Sequence, residues 1–332
     1  MAGAYSRRAI WAAAALMSIS VACSSAVAAE AWKPAKPVEI VAMSGPGGAN
    51  DVIARALQRY LTTEKLVTVP ITVTNRPGAG GVLAWSYLNQ HAGDGGYLSV
   101  SPINLLTEHI AGASPITYSD VTPVAQLFNE YVVWSVRPDS GIADMKAVIE
   151  RLRKDPGSVT FAVAAALGGA NHIAASLAAK SAGVDVRKLK FVVFNSGPQS
   201  LTAVMGGHVD VAVAPVSGTA RLAEGGKVKM IGVSSAQRLW GAMRDVPTWR
   251  EQGVNVVFSS WRGVIGPRAM TPDQLAYWEG VLEKMTGSPE WKRELERNYW
   301  ESNYMTSADT SRFLKTQYDE YKSVLAELGL AK

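Results

Sequence analysis

Residues 38–63 have the sequence VEIVAMSGPGGANDVIARALQRYLTT, and this stretch indicates an α/β fold. Val38–Ala42 is a short apolar run typical of a buried strand. A glycine-rich loop follows at residues 44–48, and residues 51–62 then place apolar side chains at helical spacing. A strand, a loop and a helix in this order predict one unit of a parallel sheet with helices on its faces.

The same pattern recurs along the chain in two series. The first series adds strands at residues 69–74 and 97–101 and a helix at residues 82–90. The second series begins with a β-like stretch at residues 131–136. Its further strands are predicted at residues 160–164, 191–194, 209–214 and 230–234. Helical stretches separate these strands, so the chain is predicted to contain two α/β units, each with glycine-rich turns after its strands.

Three of the strand–loop–helix junctions are candidate ligand-binding loops, at residues 44–51, 164–172 and 194–200. In parallel α/β sheets, ligands bind beyond the carboxyl ends of the strands, where helices begin. Helix N-termini there offer unpaired N–H groups and the positive end of the helix dipole. One junction comes from the first unit and two from the second, which predicts an anion site across a cleft. The first junction lacks the Lys-Ser/Thr of a phosphate-binding P-loop.

Arg262 lies inside an apolar strand–turn region, in Ser260-Trp261-Arg262-Gly263. A charge in such surroundings needs a partner. Two interpretations remain open at this point. The guanidinium either forms a buried ion pair within the protein or grips the carboxylate of a ligand through a bidentate contact.

Bulk composition favours a binding protein over an enzyme. The chain has 332 residues, of which 48% are hydrophobic, so it is globular and too long for one core. Its formal net charge of +5 is dispersed, which fits an anionic ligand weakly and does not suggest a nucleic-acid footprint. Its four histidines are far apart, without metal spacing, and no nucleophile–base pair is evident for a hydrolase. We expect no metal, no cofactor and no catalysis.

The N-terminus predicts export. Arg7 and Arg8 precede an apolar run at residues 9–22, and Ala26-Val27-Ala28 is a cleavage motif of secretory signal peptides. Residues 1–28 are therefore predicted to be a signal peptide, which places the mature protein in the periplasm. Cys23 is the single cysteine. Lipid attachment at this residue is the less favoured alternative, because the residues before it match a lipoprotein signal poorly.

Several ordered blocks of sequence resemble one family. They are residues 46–51 (PGGAND), 75–81 (NRPGAGG), 168–172 (GGANH), 206–210 (GGHVD) and 245–248 (DVPT). Together they resemble the substrate-binding receptors of tripartite tricarboxylate transporters, or Bug receptors, from about Lys36 to the C-terminus. Trp261-Arg262-Gly263 and residues 288–291 (SPEW) look most like the tricarboxylate-receptor branch.

The resemblance implies a two-lobe periplasmic-binding-protein fold of type II, with the ligand in the interdomain cleft and each lobe a mainly parallel sheet. It assigns residues 29–129 with 246–332 to lobe 1 and residues 130–245 to lobe 2. It also implies capture of a small di- or tricarboxylate by a monomer, and delivery to the membrane subunits of a tripartite transporter. A carboxylate sensor that serves a signalling receptor is the alternative.

Carried over by position, the resemblance implies a set of ligand-binding residues that are mostly small. In lobe 1 they are Ser44, Gly47, Gly48, Ala49, Asn50 and Asn104, and in lobe 2 Ala165, Ala166, Gly168, Ser196 and Gly197, with Arg262 added from the sequence itself. Two positions depart from the branch, which typically has Trp where Asn50 stands and Ser where Ala165 stands. These departures weaken the case for citrate but not for a carboxylate.

Overall fold

One continuous ten-stranded sheet forms the centre of the described chain, residues 31–332 of a computed structural model. Its strands follow the order β2-β1-β3-β9-β4-β7-β5-β6, and β8 and β10 also pair with β4. The predicted signal peptide, with Cys23, lies outside the described residues and stays a prediction.

The strands and helices have the following bounds. The strands are β1 (Val38–Ala42), β2 (Ile71–Asn75), β3 (Tyr97–Ser101), β4 (Thr122–Val136), β5 (Thr160–Ala164), β6 (Lys190–Phe194), β7 (Val211–Pro215), β8 (Lys229–Val233), β9 (Ser259–Gly266) and β10 (Trp300–Met305). The helices are α1 (Ala49–Thr63), α2 (Val82–Gln90), α3 (Asn104–Ile110), α4 (Met145–Lys154), α5 (Ala170–Ser181), α6 (Gly197–Met205), α7 (Val216–Glu224), α8 (Pro272–Gly287), α9 (Pro289–Arg297) and α10 (Ser307–Glu327).

Each half of the sheet has a set of parallel strands. In the first half β1 pairs in parallel with β2 and β3, and in the second half β5 pairs in parallel with β6 and β7. These strands are joined by helical crossovers, as parallel strands require. Their carboxyl ends therefore carry the loops that lead into α1, α5 and α6.

The long strand β4 joins the two halves through antiparallel pairs. Its residues 122–131 pair with β9, and residues 126–130 also pair with β10. From Val132 onward it pairs instead with β7 and β8. The change of partners falls between Tyr131 and Val132, so this one strand connects both halves of the sheet.

Buried aromatic side chains fill the space between sheet and helices. Trp278, Trp291 and Trp300 pack with Phe128 in the core of the first half. Trp134, Trp249 and Phe161 belong to a second core, which also receives side chains of α3 and α10. Apolar burial of this extent is the main favourable term in folding.

Sequence patterns located most elements and missed three. The strands at Val38–Ala42, Tyr97–Ser101 and Thr160–Ala164 and the helix at Val82–Gln90 have the predicted bounds. The first half of β4, the short helix α3 and strand β10 were not predicted. The antiparallel pairs of β4 also add to the mainly parallel arrangement that was expected. The division into lobes at residues 129/130 and 245/246 stays a prediction.

We expect Gly263→Ala to destabilise the fold by about 1–3 kcal/mol, because the added methyl group would overpack the sheet at this position. A Cβ atom on Gly263 would lie 2.6 Å from the carbonyl oxygen of Ala125, a backbone atom of β4 that cannot move aside. Gly280→Ala in α8 is the control, since open space surrounds its Cβ position. That change should stabilise the protein by about 0.5–1 kcal/mol. Urea denaturation measures both, and equal effects would contradict the packing argument.

Candidate functional site

A cavity of about 290 Å³ lies at the carboxyl ends of the parallel strands. Residues from both halves of the sheet form its wall. The wall includes Met43, Ser44, Gly47, Gly48, Ala49, Asn50, Val52, Pro102, Asn104, Ala164, Ala165, Ala170, Asn171, Asn195, Ser196, Gly197, Pro198, Leu201, Ala214, Pro215, Ser217, Gly218, Arg221, Arg262, Asn298 and Trp300.

Four helices of nine residues or more begin at this wall: α1, α5, α6 and α7. The first N–H groups of a helix have no partner within the helix. The N–H groups of Ala49, Ala170 and Gly197 donate to no acceptor among residues 31–332. Unpaired donors and four positive dipole ends make the cavity favourable for an anion.

The β1–α1 loop is held by side chains that the wall does not include. Asp51 Oδ2 accepts a hydrogen bond from the Gly47 N–H at 2.9 Å, and its Oδ1 accepts one from Asn75 Nδ2 at 2.8 Å. Asn75 Nδ2 also donates to the Ser44 carbonyl oxygen at 2.9 Å. These bonds account for the sequence blocks at residues 46–51 and 75–81, which fix one loop from two sides.

The pKa of Asp51 is lowered by the same contacts. Burial opposes ionisation of this carboxyl group, but hydrogen bonds from Arg55, the Gly47 N–H and Asn75 outweigh it. Asp51 is therefore a carboxylate at neutral pH, and it shapes the loop without entering the wall.

His172 holds the β5–α5 loop. Its Nδ1 accepts a hydrogen bond from the Gly168 N–H at 3.1 Å, and its ring packs edge-on against Phe191. Burial lowers the pKa of His172 from 6.5 to about 4, so the imidazole is neutral at pH 7 and can accept this bond. Gly168 uses its N–H here, and neither it nor Ala166 lines the cavity.

Arg262 forms a buried ion pair. Its Nη2 lies 2.8 Å from Glu130 Oε2, and the two side chains are 6% and 1% exposed. The other Glu130 oxygen, Oε1, accepts hydrogen bonds from Ser217 Oγ at 2.5 Å and Trp300 Nε1 at 3.0 Å. The ion-pair interpretation is thus the one that the structure favours. Arg262 also lines the cavity, and direct contact with a ligand stays a prediction.

The structure brings ten of the twelve predicted site residues to one wall. They are Ser44, Gly47, Gly48, Ala49, Asn50, Asn104, Ala165, Ser196, Gly197 and Arg262. Their contact with a ligand stays a prediction. Ala166 and Gly168 belong to the same loop as Ala165 but lie outside the wall.

Sequence reasoning missed a fourth junction, β7–α7, which contributes Ser217, Gly218 and Arg221. The signal was present, since a predicted strand at residues 209–214 is followed directly by a helix. No sequence pattern indicated that Trp300 lies at the cavity, because its strand, β10, was not predicted. Trp134 and Trp261 are buried in the core.

The ionisable side chains of the described wall are all positively charged. None of the described residues that line the cavity is acidic, and its two ionisable members are Arg221 and Arg262. Within residues 31–332, no three His, Cys, Asp or Glu side chains are grouped so that they would hold a metal ion. None of the helices in this part of the chain combines the length and hydrophobicity that a membrane crossing requires.

Removing one member of the buried ion pair should cost more than removing both. Arg262→Ala leaves the Glu130 carboxylate uncompensated, so we expect a loss of about 3–5 kcal/mol in the free energy of unfolding. The double variant Glu130→Gln/Arg262→Met keeps the volume and removes both charges, and should recover more than half of that loss. Urea denaturation of both variants tests this, and a loss below about 1 kcal/mol in Arg262→Ala would contradict it.

Lowering the pH should reduce the free energy of unfolding, because His172 is protonated more readily in the unfolded chain. The unfolded chain binds a proton near pH 6.5 and the folded chain only near 4, so the stability falls as the pH drops between these values. Protonation of His172 should lower the free energy of unfolding by about 2 kcal/mol between pH 7 and pH 5. His172→Gln keeps an acceptor for Gly168 but does not titrate, and should lack that part of the loss. Chemical denaturation at both pH values compares the two proteins, and parallel losses would refute the assignment.

Comparisons with known proteins place the chain in a family. Residues 53–330 match the model described as "Tripartite tricarboxylate transporter family receptor". Protein BugT of Bordetella pertussis is 28% identical over 244 residues, which cover 72% of this chain and 73% of BugT. The periplasmic binding protein BugD superposes with a TM-score of 0.81 at 20% identity, over 90% of this chain and 99% of BugD.

A protein from R. palustris solved with adipate gives a TM-score of 0.82 at 22% identity, over 90% of this chain and 99% of its own. These structures confirm the two-lobe α/β fold of periplasmic binding proteins. The family match covers most of the described residues and includes four of the five blocks of sequence that suggested it. The chain belongs to the receptor family of the tripartite tricarboxylate transporters.

Proposed function

We propose that this protein is a periplasmic receptor that captures a small di- or tricarboxylate and delivers it to the membrane subunits of a tripartite transporter. The charge of the cavity carries the proposal. Four helices begin at a wall that contains two arginines and, among the described residues, no acidic side chain. An anion gains from this arrangement, whereas a cation finds no carboxylate among the described wall residues.

The small residues of the wall support a compact ligand held by backbone groups. Glycine and alanine at the helix starts allow an anion to approach the N–H groups closely. A cavity of about 290 Å³ is near the lower end of the range for ligand pockets and suits an organic acid of a few carbon atoms. The adipate in the related R. palustris structure is an acid of this kind.

Two wall residues bear on which acid is bound. Asn50 and Ala165 occupy positions where the tricarboxylate-receptor branch that the chain resembles typically has Trp and Ser. Asn50 replaces an apolar face with an amide, and Ala165 lacks a hydroxyl donor. Both changes alter contacts that a citrate-binding relative would use, so we favour a dicarboxylate over citrate.

Capture requires donors from both halves of the protein. The N–H groups of α1 belong to the first half of the sheet, and those of α5 and α6 to the second. A ligand that contacts all three stabilises the arrangement in which the halves enclose it. We propose binding without a catalytic step, because the chain belongs to a family of receptors.

Thermal-shift and calorimetric titrations test this function on the purified protein. Succinate, malate, adipate and citrate form the test set, and the diamides of succinate and adipate are the matched neutral controls. At least one diacid should bind with a Kd of about 1 μM or below, and at a hundredfold excess over Kd it should stabilise the fold by about 2.7 kcal/mol. Binding of a diamide or a sugar, with no response to any acid, would overturn the proposal.

A further inference from the structure

The two arginines of the cavity wall differ in the charge that they offer. Arg262 lies 2.8 Å from Glu130, and both side chains are buried, so the pair carries no net charge. Glu130 itself does not line the cavity. A ligand in the cavity therefore meets a guanidinium whose charge the protein has already compensated.

Arg221 is in the opposite situation. It lines the cavity from α7, is exposed to solvent, and forms no ion pair or side-chain hydrogen bond with any residue between 31 and 332. Its charge is compensated by no described neighbour and is available to a bound anion. A planar guanidinium can grip a carboxylate through two parallel hydrogen bonds.

Helical spacing places Arg221 over the start of its own helix. Ser217, Gly218 and Arg221 are related by three and four residues and share the face of α7 that lines the cavity. Gly218 has no side chain, and apart from its chain neighbours and the backbone of its own helix no atom of residues 31–332 lies within 4 Å of the position where its Cβ would stand. This open space allows the Arg221 side chain to reach a group bound in front of the helix.

Two buried polar atoms of the wall also lack partners. Arg262 Nε and Asn50 Oδ1 have no hydrogen-bond partner among the described residues, and their side chains belong to residues that are 5% and 8% exposed. Unpaired buried polar atoms are costly. The described residues therefore leave part of the hydrogen-bonding capacity of Arg262 and Asn50 unused.

We propose that Arg221 is the residue that selects a ligand with a second carboxylate. One carboxylate lies at the starts of α1, α5 and α6, and the other forms a bidentate pair with Arg221 on the α7 side. This inference rests on the proposed function and deepens it. It makes Arg221, and not Arg262, the source of discrimination between diacids and monoacids.

The test removes the charge on each side of the proposed contact. Succinate, glutarate and adipate are titrated into the wild type and Arg221→Gln, together with the monoamide of each acid. Arg221→Gln should weaken the tightest diacid tenfold to a hundredfold, and should change the affinity for its monoamide less than about twofold. Arg221→Lys should recover part of the loss, because it restores the charge but not the planar fork.

Arg250→Gln is the matched control, since Arg250 is exposed, lies outside the cavity and carries the same charge. It should leave all affinities unchanged, and urea denaturation should show that both variants fold. Equal losses for diacid and monoamide in Arg221→Gln, or no loss at all, would overturn the role of Arg221 while leaving carboxylate capture intact. A wild type that binds none of the acids would contradict the proposed function and this inference with it.

Discussion

The carboxylate of Glu130 is buried at the place where the two halves of the sheet meet. It lies on β4, just before that strand exchanges its partners β9 and β10 for β7 and β8. A carboxylate in such a position is costly unless it is paired and hydrogen-bonded. Arg262 on β9, Trp300 on β10 and Ser217 on α7 supply those contacts. One buried charge on β4 therefore fixes the relative positions of two neighbouring strands and the start of a helix that faces the cavity.

The cavity depends on this framework because the backbone N–H groups of Ala49, Ala170 and Gly197 are among its donors. A backbone N–H points where the loop and the helix place it, so binding geometry is set by residues outside the wall. Asp51 and Asn75 fix the β1–α1 loop, and His172 fixes the β5–α5 loop. The functional importance of these side chains is thus indirect. It explains why polar residues recur beside glycine-rich turns in this chain without touching the cavity.

The parallel parts of the fold were predictable because their signals are local. A buried parallel strand is a continuous apolar run, and its crossover helix has apolar residues at helical spacing, as in β1 and α1. Strand β10 has the sequence WESNYM, with mainly polar side chains, and it is a strand because β4 lies beside it. Tertiary context determines such a strand, and a single sequence does not report it. All four long helices that begin at the cavity were predicted for the same local reason, but only three of their junctions were assigned to the site.

The two arginines show where sequence reasoning about charge reaches its limit. Arg262 was a candidate ligand contact because it lies in an apolar stretch. The burial of its charge is compensated within the protein by Glu130. Arg221 resembled an ordinary basic residue near the end of a surface helix, where it complements the helix dipole. A charged side chain that binds an anion must also be stabilised in the ligand-free protein. Either water or a partner side chain that the ligand later displaces can provide that stabilisation. Hydration keeps the charge available, whereas a tight buried pair removes it. In this family member, the exposed arginine at the wall is consequently the one whose charge remains for a ligand.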